Sequence, residues 1–389
     1  MKTFLTLLFF SLLFASCHHN ENEVLDVLEY NQNVQKQLNE ILENKLTIDK
    51  LTTANNNIII ELSDNQVLKI QTYDLPMASI DITDRWDSYL FTFTDGIKIS
   101  INKTVAAPVV QNNSLPKSPE KLKILGIGNS FTEDATEYLP HMIKADGLKN
   151  ITVARAFNGG MSLRDQWEKY LNKEPYYFYD KTDPQTCQWN FHKSHMTLAE
   201  IIGDEDWDII VLQQISDDAG LAETFQPYLN NLIEIILEKC ANKKVCIAWH
   251  MTWAYATNSP HPGYVKYDKK QMKMYRDITN ATKQMEAFTG INIIIPSGTA
   301  IQNLRNTSLN NPPLDLTRDG YHSDYGAGRY VEACAWFQTL IAPCFNTTII
   351  GNTYRANFGN VPVTDNNAGL IQKAALSAVD KKYEISALN

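Results

Sequence analysis

Short apolar runs alternate with helical patterns from about residue 121 onward, and this alternation constrains the fold more than any other feature. The runs have the length of strands and lie at Leu122–Ile127, Ile151–Ala154, Asp208–Leu212, Val245–Ala248 and Ile291–Ile295. Helical patterns lie around 134–146, 162–171, 224–242, 269–288 and 327–341. Such alternation predicts a parallel sheet with helices on both faces. Ligand sites in such sheets lie beyond the carboxyl ends of the strands, so functional residues are expected just after each run.

Length and charge exclude several classes of protein. A chain of 389 residues exceeds the usual size of one domain, so two units are expected. The net charge of -9 and the isoelectric point near 5.4 argue against a nucleic-acid-binding surface. Beyond the N-terminus no apolar run is long enough to predict a membrane-spanning helix.

The first residues have the composition of an export signal. Lys2 precedes an almost wholly apolar run from Phe4 to Ala15, and Ser16 leads directly to Cys17. This pattern resembles a bacterial lipoprotein signal, in which the cysteine becomes the lipidated first residue. We therefore predict a signal peptide over 1–16 and a lipid anchor at Cys17 on the periplasmic or outer face of the outer membrane. The alternative is an ordinary signal peptide with an incidental cysteine.

Three further segments precede the strand-helix region. Residues 17–56 are predicted to be a tether and a helix whose apolar stripe from Val24 to Ile48 fits either a coiled coil, with homo-oligomers through 24–48, or a helix packed on a globular surface. Residues 57–104 read as a small β module, because Asp95-Gly96 separates two alternating runs. Prolines among polar residues predict a linker over 105–120.

The cysteines and histidines give weaker predictions. Export permits disulfides, and closeness in sequence suggests the pairs Cys240–Cys246 and Cys334–Cys344. Cys187 with the two histidines that follow it has a spacing suited to metal, but a fourth ligand is missing nearby, so we predict no metal site. No cofactor is predicted either.

The first strand is followed by Gly126-Ile127-Gly128-Asn129-Ser130-Phe131-Thr132 at the start of a helix. A dinucleotide fingerprint requires a third glycine where Phe131 stands, and the Gly-Lys-Ser/Thr of a phosphate loop is absent. A serine at such a turn has its hydroxyl near a helix N-terminus, where developing negative charge is favoured. Taken alone, Ser130 is better explained as a helix cap than as a nucleophile.

A second motif, Asp319-Gly320-Tyr321-His322, stands just before the last long helical pattern. An aspartate three residues before a histidine can accept the imidazole Nδ1–H and so fix its tautomer. The other ring nitrogen is then free to take a proton from a serine. Alone, this spacing often arises by chance.

The order of these motifs is more specific than any one of them. Gly-Asn-Ser follows the first strand, Asn158-Gly159-Gly160-Met161-Ser162 the second and Gln213-Gln214 the third, and Asp-x-x-His comes last. Over about 121–345 the sequence resembles the GDSL/SGNH hydrolases, and within them a branch of secreted Bacteroides-type lipoproteins with Gly-Asn-Ser-Phe-Thr.

The resemblance implies a fold and a set of roles. The expected fold is α/β, a flavodoxin-like three-layer hydrolase domain with a parallel sheet over 121–389. Ser130 is then the nucleophile, His322 the general base and Asp319 the residue that orients it. Gly160 would offer its N–H to the oxyanion together with the N–H of Ser130.

Two positions depart from the family pattern. Asn129 stands where an aspartate is usual, and the third motif lacks the asparagine whose amide donates to the oxyanion. A glutamine amide is the same donor on a longer arm, so Gln213 or Gln214 is the expected substitute. Adjacent strand residues face opposite ways, so only one should reach the site, and we slightly favour Gln213.

Aromatic residues suggest the substrate. Rings cluster after the fourth strand and in an insertion after the second motif, and rings with polar edges suit sugar faces. We therefore predict a carbohydrate O-acyl esterase whose partner is a polysaccharide or oligosaccharide ester. The predicted substrate-binding residues are Asn129, Trp249, Trp253 and Tyr321. His250 either reaches the site or fills a polar slot, and the polar slot is favoured. The alternatives are a sugar-binding lipoprotein without turnover and an assembly protein built around the N-terminal helix.

Overall fold

A computed structural model describes residues 21–54, 57–71, 80–84, 88–103 and 109–388, except for the side chains at 21–28, 54, 71, 84 and 192. The predicted signal peptide and Cys17 lie outside the described residues. The chain divides into two compact units, Met1–Ala107 and Pro108–Asn389. Each unit is described by itself below.

Over the residues that the structure describes, the first unit consists of one helix and two small antiparallel sheets. Strands β1 to β3 pair in chain order in one sheet, and β4 to β6 pair in chain order in the other. The predicted hairpin around Asp95-Gly96 is present, with Phe91 opposite Ile99. The elements are α1 (Glu21–Glu43), β1 (Ile48–Ala54), β2 (Asn57–Leu62), β3 (Val67–Gln71), β4 (Asp81–Asp84), β5 (Ser88–Thr92) and β6 (Lys98–Asn102).

The apolar stripe of α1 is buried within its own unit. Val34, Leu38 and Ile41 belong to one core with residues of both sheets. The polar stripe member Asn31 is also buried, and its Nδ2 donates to Thr94 Oγ1 at 3.0 Å. This packing favours the second interpretation of the stripe, a helix on a globular surface. Oligomerisation through 24–48 stays a prediction.

The predicted start of the β module needs correction. Strand β1 begins at Ile48, nine residues before the predicted boundary, and Ile48 pairs with Leu62 of β2. Ile48 is fully buried in the core of this unit, so it belongs to the sheet and not to the helical stripe. Helix α1 accordingly ends at Glu43.

The second unit contains a seven-stranded sheet in the order β10-β9-β8-β7-β11-β12-β13. Strands β8, β7, β11, β12 and β13 are parallel, and β9 and β10 extend the β8 edge as an antiparallel hairpin. The parallel part has the 2-1-3-4-5 order of flavodoxin-like sheets. The strands are β7 (Leu122–Gly128), β8 (Ile151–Phe157), β9 (Tyr177–Thr182), β10 (Trp189–Met196), β11 (Ile209–Leu212), β12 (Cys246–His250) and β13 (Ile293–Ile295).

Helices cover both faces of this sheet. All four residues of β11 and all five of β12 are buried, as expected where neither face meets water. Helices α2, α3, α8, α9 and α11 form one contacting group, and α4, α5 and α6 another. The helices are α2 (Ser130–Thr136), α3 (Leu139–Ala145), α4 (Leu163–Leu171), α5 (Leu198–Ile202), α6 (Tyr228–Lys239), α7 (Gln271–Thr289), α8 (Ser297–Arg305), α9 (Ala327–Trp336), α10 (Ala342–Phe345) and α11 (Ala368–Asp380).

The predicted fold class is confirmed, with two details changed. The aromatic insertion forms the antiparallel hairpin β9-β10, so the sheet is mostly and not wholly parallel. The segment predicted as a linker is packed on the second unit from residue 110 onward. There Val110 N–H donates to Thr289 O at 2.8 Å, and Asn113 Nδ2 donates to Ile247 O at 2.7 Å. Within the described ranges, no helix is both long and apolar enough to cross a membrane.

Candidate active site

Ser130 is the first residue of α2, immediately beyond the carboxyl end of β7. The strand and helix approach closely here, because β7 ends in a glycine. A Cβ on Gly128 would lie 2.3 Å from Thr132 Oγ1 and 2.7 Å from the Gln213 side chain. Asn129 caps the helix, with its Oδ1 accepting the N–H of Phe131 at 3.0 Å. The sequence thus produces a tight strand-to-helix turn with the serine at its tip.

The serine, histidine and aspartate that the sequence singles out are brought together. His322 Nε2 lies 2.9 Å from Ser130 Oγ, and His322 Nδ1 lies 2.6 Å from Asp319 Oδ2. Because a carboxylate can only accept, Nδ1 carries the proton and Nε2 is left to accept the serine hydroxyl. This is the arrangement in which a serine is activated as a nucleophile.

The Asp319–His322 loop is held by its own carboxylate. Asp319 Oδ1 accepts the backbone N–H groups of Tyr321 and His322 at 3.1 and 2.8 Å, while Oδ2 accepts the ring N–H. Partial burial raises the pKa of Asp319, but these three hydrogen bonds outweigh it and the pKa lies below its ordinary value. The carboxylate is therefore charged at neutral pH and keeps the imidazole in one tautomer.

Two backbone N–H groups are available to an oxyanion. Gly160, after β8, has a φ of +68° and an exposed backbone, and nothing lies within 4 Å of where its Cβ would stand. In the part of the chain that the structure describes, neither the N–H of Ser130 nor that of Gly160 has a hydrogen-bond partner. Both therefore fit the predicted role of oxyanion donor.

Gln213 does not present its amide to the open site, which corrects the prediction for this residue. It is 1% exposed, and its Oε1 accepts from Thr132 Oγ1 at 2.6 Å and from His250 Nδ1 at 3.0 Å. Its Nε2 donates to Asn129 Oδ1 at 2.8 Å. The side chain lies beneath the Ser130 turn, where it supports the turn.

Gln214 faces the opposite way and is also engaged. Its Oε1 accepts the backbone N–H groups of Leu163 and Ile215, each at 2.9 Å, and its Nε2 donates to Thr224 Oγ1 at 3.0 Å. It is as buried as Gln213. Neither glutamine is placed as the expected substitute for the family asparagine.

The predicted substrate-binding residues have mixed outcomes. Asn129 is buried and fully bonded, since its Nδ2 also donates to Met161 O at 3.1 Å, so it supports the turn and does not face substrate. Trp249 is buried against Phe225, and Trp253 is fully buried and stacked on Phe131 at 4.1 Å. These three predictions are wrong: Trp249 lies within the buried strand β12, and Asn129 and Trp253, which follow β7 and β12, are also inside the core.

Tyr321 remains at the site. Its half-buried ring lies 4.3 Å from the His322 ring and 4.8 Å from the His261 ring. His261 was not found from the sequence, because it stands in a loop with no motif. His250 fills a buried slot as predicted, between Gln213 Oε1 and Ser297 Oγ, and burial lowers its pKa to about 3.

The remaining candidates lie away from the triad. The suggested disulfides are not formed, since the described cysteines are all buried free thiols. Among the residues that the structure describes, no three His, Cys, Asp or Glu side chains are arranged to hold a metal ion. A shallow surface depression lies at the opposite, amino-terminal edge of the sheet, lined by Glu120, Lys121, Lys123, Asn150, Thr152 and Pro184.

Fold and site together define an α/β protein whose serine, histidine and aspartate converge at the carboxyl edge of a mostly parallel sheet. Residues 123–378 match the family described as Domain of unknown function (DUF4886), and the chain belongs to this family. A DUF4886 family protein from Bacteroides uniformis is 34% identical, with 69% of this chain and 98% of that chain covered and a TM-score of 0.62.

Two more distant solved structures are also similar. A protein proposed to be an SGNH hydrolase from Slackia heliotrinireducens is 19% identical, with 57% of this chain and 99% of that chain covered and a TM-score of 0.38. An acetylxylan esterase from Geobacillus stearothermophilus is 16% identical, with 57% and 95% covered and a TM-score of 0.37. At these scores they give no information about the activity of this chain. No protein of curated function is significantly similar.

Proposed function

We propose that this protein is a serine esterase of the SGNH type that removes O-acyl groups, acetyl above all, from carbohydrate. The observation that carries the proposal is the continuous pair of hydrogen bonds from Ser130 Oγ to His322 and from His322 to Asp319. Ser130 at the start of α2 and the Asp319–His322 loop are far apart in sequence, and a purely structural role would not require these three side chains to align.

The proposed reaction proceeds through an acyl-enzyme. Ser130 Oγ attacks the ester carbonyl carbon while His322 Nε2 takes the serine proton, and the N–H groups of Ser130 and Gly160 hold the oxyanion. The bond to the sugar oxygen then breaks, and that oxygen receives the proton from His322. Water attacks the acyl-serine with His322 again as base, which releases the carboxylic acid and restores Ser130. Asp319 keeps Nδ1 protonated throughout.

A second candidate is a carbohydrate-binding protein that keeps this fold without turnover. The observation that favours it is the engagement of both glutamine amides, which leaves the oxyanion with backbone donors alone. Loss of one oxyanion donor typically costs about 2.7–4 kcal/mol in the transition state. Such a cost slows an esterase by a factor of about 100 to 1,000 but does not abolish it.

Hydrolysis of 4-nitrophenyl acetate separates the two candidates. We expect turnover by the wild-type chain, its loss in Ser130→Ala, and no change in Ser377→Ala, a matched control in helix α11. Equal nitrophenol release by wild type and Ser130→Ala would refute the esterase. An acetyl-release screen over acetylated polysaccharides then identifies the glycan.

We also propose that the protein is exported and anchored by lipid at Cys17, on the basis of the lipoprotein-like N-terminal sequence. Metabolic labelling with a palmitate analogue in a bacterial host tests this directly. Label is expected on the wild-type chain and not on Cys17→Ser. A labelled Cys17→Ser variant would contradict the anchor.

A further inference from the structure

Exposed rings from the inserted hairpin lie beside the proposed active site. Phe157 ends β8 and pairs with Phe178 of β9, and their ring centroids are 5.8 Å apart. The His195 ring lies 6.4 Å from that of Phe178. We refer to Phe157, Phe178 and His195 as the aromatic platform. Of these three, Phe157 directly precedes Asn158-Gly159-Gly160, the segment that offers the Gly160 N–H.

The aromatic platform lies on the same face of the sheet as the nucleophile helix. Arg155, two residues before Phe157 and therefore on the same face of β8, donates to Glu133 O at 3.3 Å and to Glu137 at 2.7 Å. Glu133 belongs to α2, the helix that begins with Ser130. Phe157 is closer than Arg155 to the carboxyl ends of the parallel strands. Ser130 lies at that same edge of the sheet.

The register sets the distance between this platform and the serine. Gly128, two residues before Ser130, pairs with Phe157, and Phe157 pairs with Phe178. Adjacent strands are about 4.8 Å apart, so Phe178 is about 10 Å across the sheet from the turn that bears the nucleophile.

The exposure of these rings is selective. Phe178 is 45% exposed, whereas its neighbours Tyr177 and Tyr179 are buried in the core. Tyr176, 38% exposed, adds a ring at the start of the hairpin, and its carbonyl accepts from Asn158 Nδ2 at 2.6 Å. Lys169 Nζ lies over the Tyr176 ring at 4.0 Å, so Phe178 is the exposed ring without a cation over it among the described contacts. An exposed ring bordered by polar groups suits the apolar face of a sugar, whose hydroxyls stay at the edge, better than an acyl chain, which needs enclosure.

We propose that the aromatic platform binds a sugar ring of the carbohydrate whose acyl group is at Ser130. The inference rests on the proposed esterase function and extends it by assigning the site that holds the glycan. The platform binds the carrier and takes no part in the bond changes at the carbonyl. Loss of the platform is therefore expected to slow the hydrolysis of carbohydrate esters and to leave the hydrolysis of small aryl esters unchanged.

Phe178→Ala tests the assignment with two substrates. On chemically acetylated xylo-, manno- and cello-oligosaccharides, kcat/KM on the preferred backbone is expected to fall about 10-fold through KM. On 4-nitrophenyl acetate it should stay within about 2-fold of wild type, and Phe178→Trp should retain activity on both. Unchanged activity on the oligosaccharides, or an equal fall on both substrates, would overturn the platform.

Phe191→Ala is the matched control, because Phe191 is a more exposed phenylalanine, 84%, on the outer strand of the same hairpin. It should behave as wild type, and a loss equal to that of Phe178→Ala would assign the effect to the hairpin and not to the platform.

Calorimetric binding of the same oligosaccharides to Ser130→Ala separates the platform from the chemistry. If wild type hydrolyses no ester yet binding is weakened by Phe178→Ala, the platform stands and the esterase fails. Absence of binding overturns the platform.

Discussion

The guanidinium Nη1 of Arg318 lies 3.0 and 2.9 Å from the two carboxylate oxygens of Asp134. Arg318 directly precedes Asp319, and Asp134 is one helical turn after Ser130 on α2. Asp134 is fully buried and also accepts from Arg329 Nε at 2.8 Å and from Ser323 N–H at 3.0 Å. This carboxylate therefore joins the helix that carries the nucleophile to the loop that carries the base.

We expect Asp134→Asn to lower kcat on 4-nitrophenyl acetate by about 10- to 100-fold with little change in KM. The amide cannot pair with two guanidinium groups, so the His322 loop shifts against Ser130, and a displacement of about 1 Å can cost 100-fold. Stability should also fall by about 3–5 kcal/mol, since one partner of a buried ion pair is removed.

Asp365→Asn is the control for Asp134→Asn. Asp365 also pairs with an arginine, Arg355, at 2.9 Å, but it is 91% exposed. Exposed pairs contribute little, so neither stability nor kcat should change. If Asp134→Asn and Asp365→Asn behave alike in kcat and in urea unfolding, Asp134 does not position the site.

Asp319→Asn is expected to reduce kcat by about 10⁴-fold at neutral pH, the loss seen for the corresponding change in a serine protease triad. The asparagine Oδ1 can still accept the N–H groups of Tyr321 and His322, so the loop is retained. Its Nδ2, however, is a donor facing His322 Nδ1, which forces the imidazole into the tautomer that cannot accept from Ser130. Steady-state kinetics with 4-nitrophenyl acetate measures the loss. Activity within a few-fold of wild type would exclude Asp319 as the residue that fixes the tautomer.

The sequence was informative where function depends on local spacing and on motif order. Asp319 and His322 lie within one loop, and Ser130 follows a strand whose apolar run is evident, so all three could be placed. The roles of Gln213 and Gln214 could not be predicted. Strand alternation indicates which face of the sheet each side chain is on, but not which other side chains it contacts there. On its face Gln213 meets His250 of the neighbouring strand, a contact that only tertiary structure provides.

Ion pairs between segments that are distant in the sequence could not be predicted for the same reason. Asp134 and Arg318 are 184 residues apart, and neither belongs to a recognisable motif. The β9-β10 hairpin was recognised only as an aromatic insertion. Its alternation of buried Tyr177 and Tyr179 with exposed Phe178 is typical of an antiparallel strand with one buried face, but the register with β8 is set by tertiary packing.

Gly160→Ala should reduce kcat/KM on 4-nitrophenyl acetate by about 10-fold or more. The added methyl meets no atom within 4 Å, but a φ of +68° costs a residue with a Cβ about 1–2 kcal/mol. Relief of that strain turns the Gly160 N–H away from the oxyanion, and one lost donor is worth more than this reduction.

Gly159→Ala is the matched control for Gly160→Ala. Gly159 is the adjacent, equally open glycine, and it is not among the glycines of positive φ. Its replacement should leave kcat/KM within about 2-fold of wild type, because the new methyl group causes neither a clash nor strain. Equal effects of the two changes would remove Gly160 from the oxyanion site.

His250 makes the stability of the second unit depend on pH. The buried ring has a pKa of about 3, whereas a histidine in an unfolded chain titrates near 6.5. Between these values the unfolded chain holds a proton that the folded chain does not. The free energy of unfolding therefore falls as pH drops from about 6.5 toward 3, by about 1.4 kcal/mol per pH unit. Above pH 6.5 the ring is neutral in both the folded and the unfolded chain, so His250 no longer makes the free energy of unfolding depend on pH.

We expect wild type to lose about 2 kcal/mol more than His250→Gln between pH 6.5 and pH 5. Urea unfolding followed by tryptophan fluorescence measures the difference, since every tryptophan except Trp86 belongs to the second unit. Buried Glu332 acts in the opposite direction, because burial raises its pKa well above the ordinary value and favours the folded state in acid. Both chains contain Glu332, so the difference between their slopes isolates His250. If the free energy of unfolding fell equally with pH in wild type and in His250→Gln, the ring would be gaining its proton in the folded state, within the Gln213–Ser297 slot.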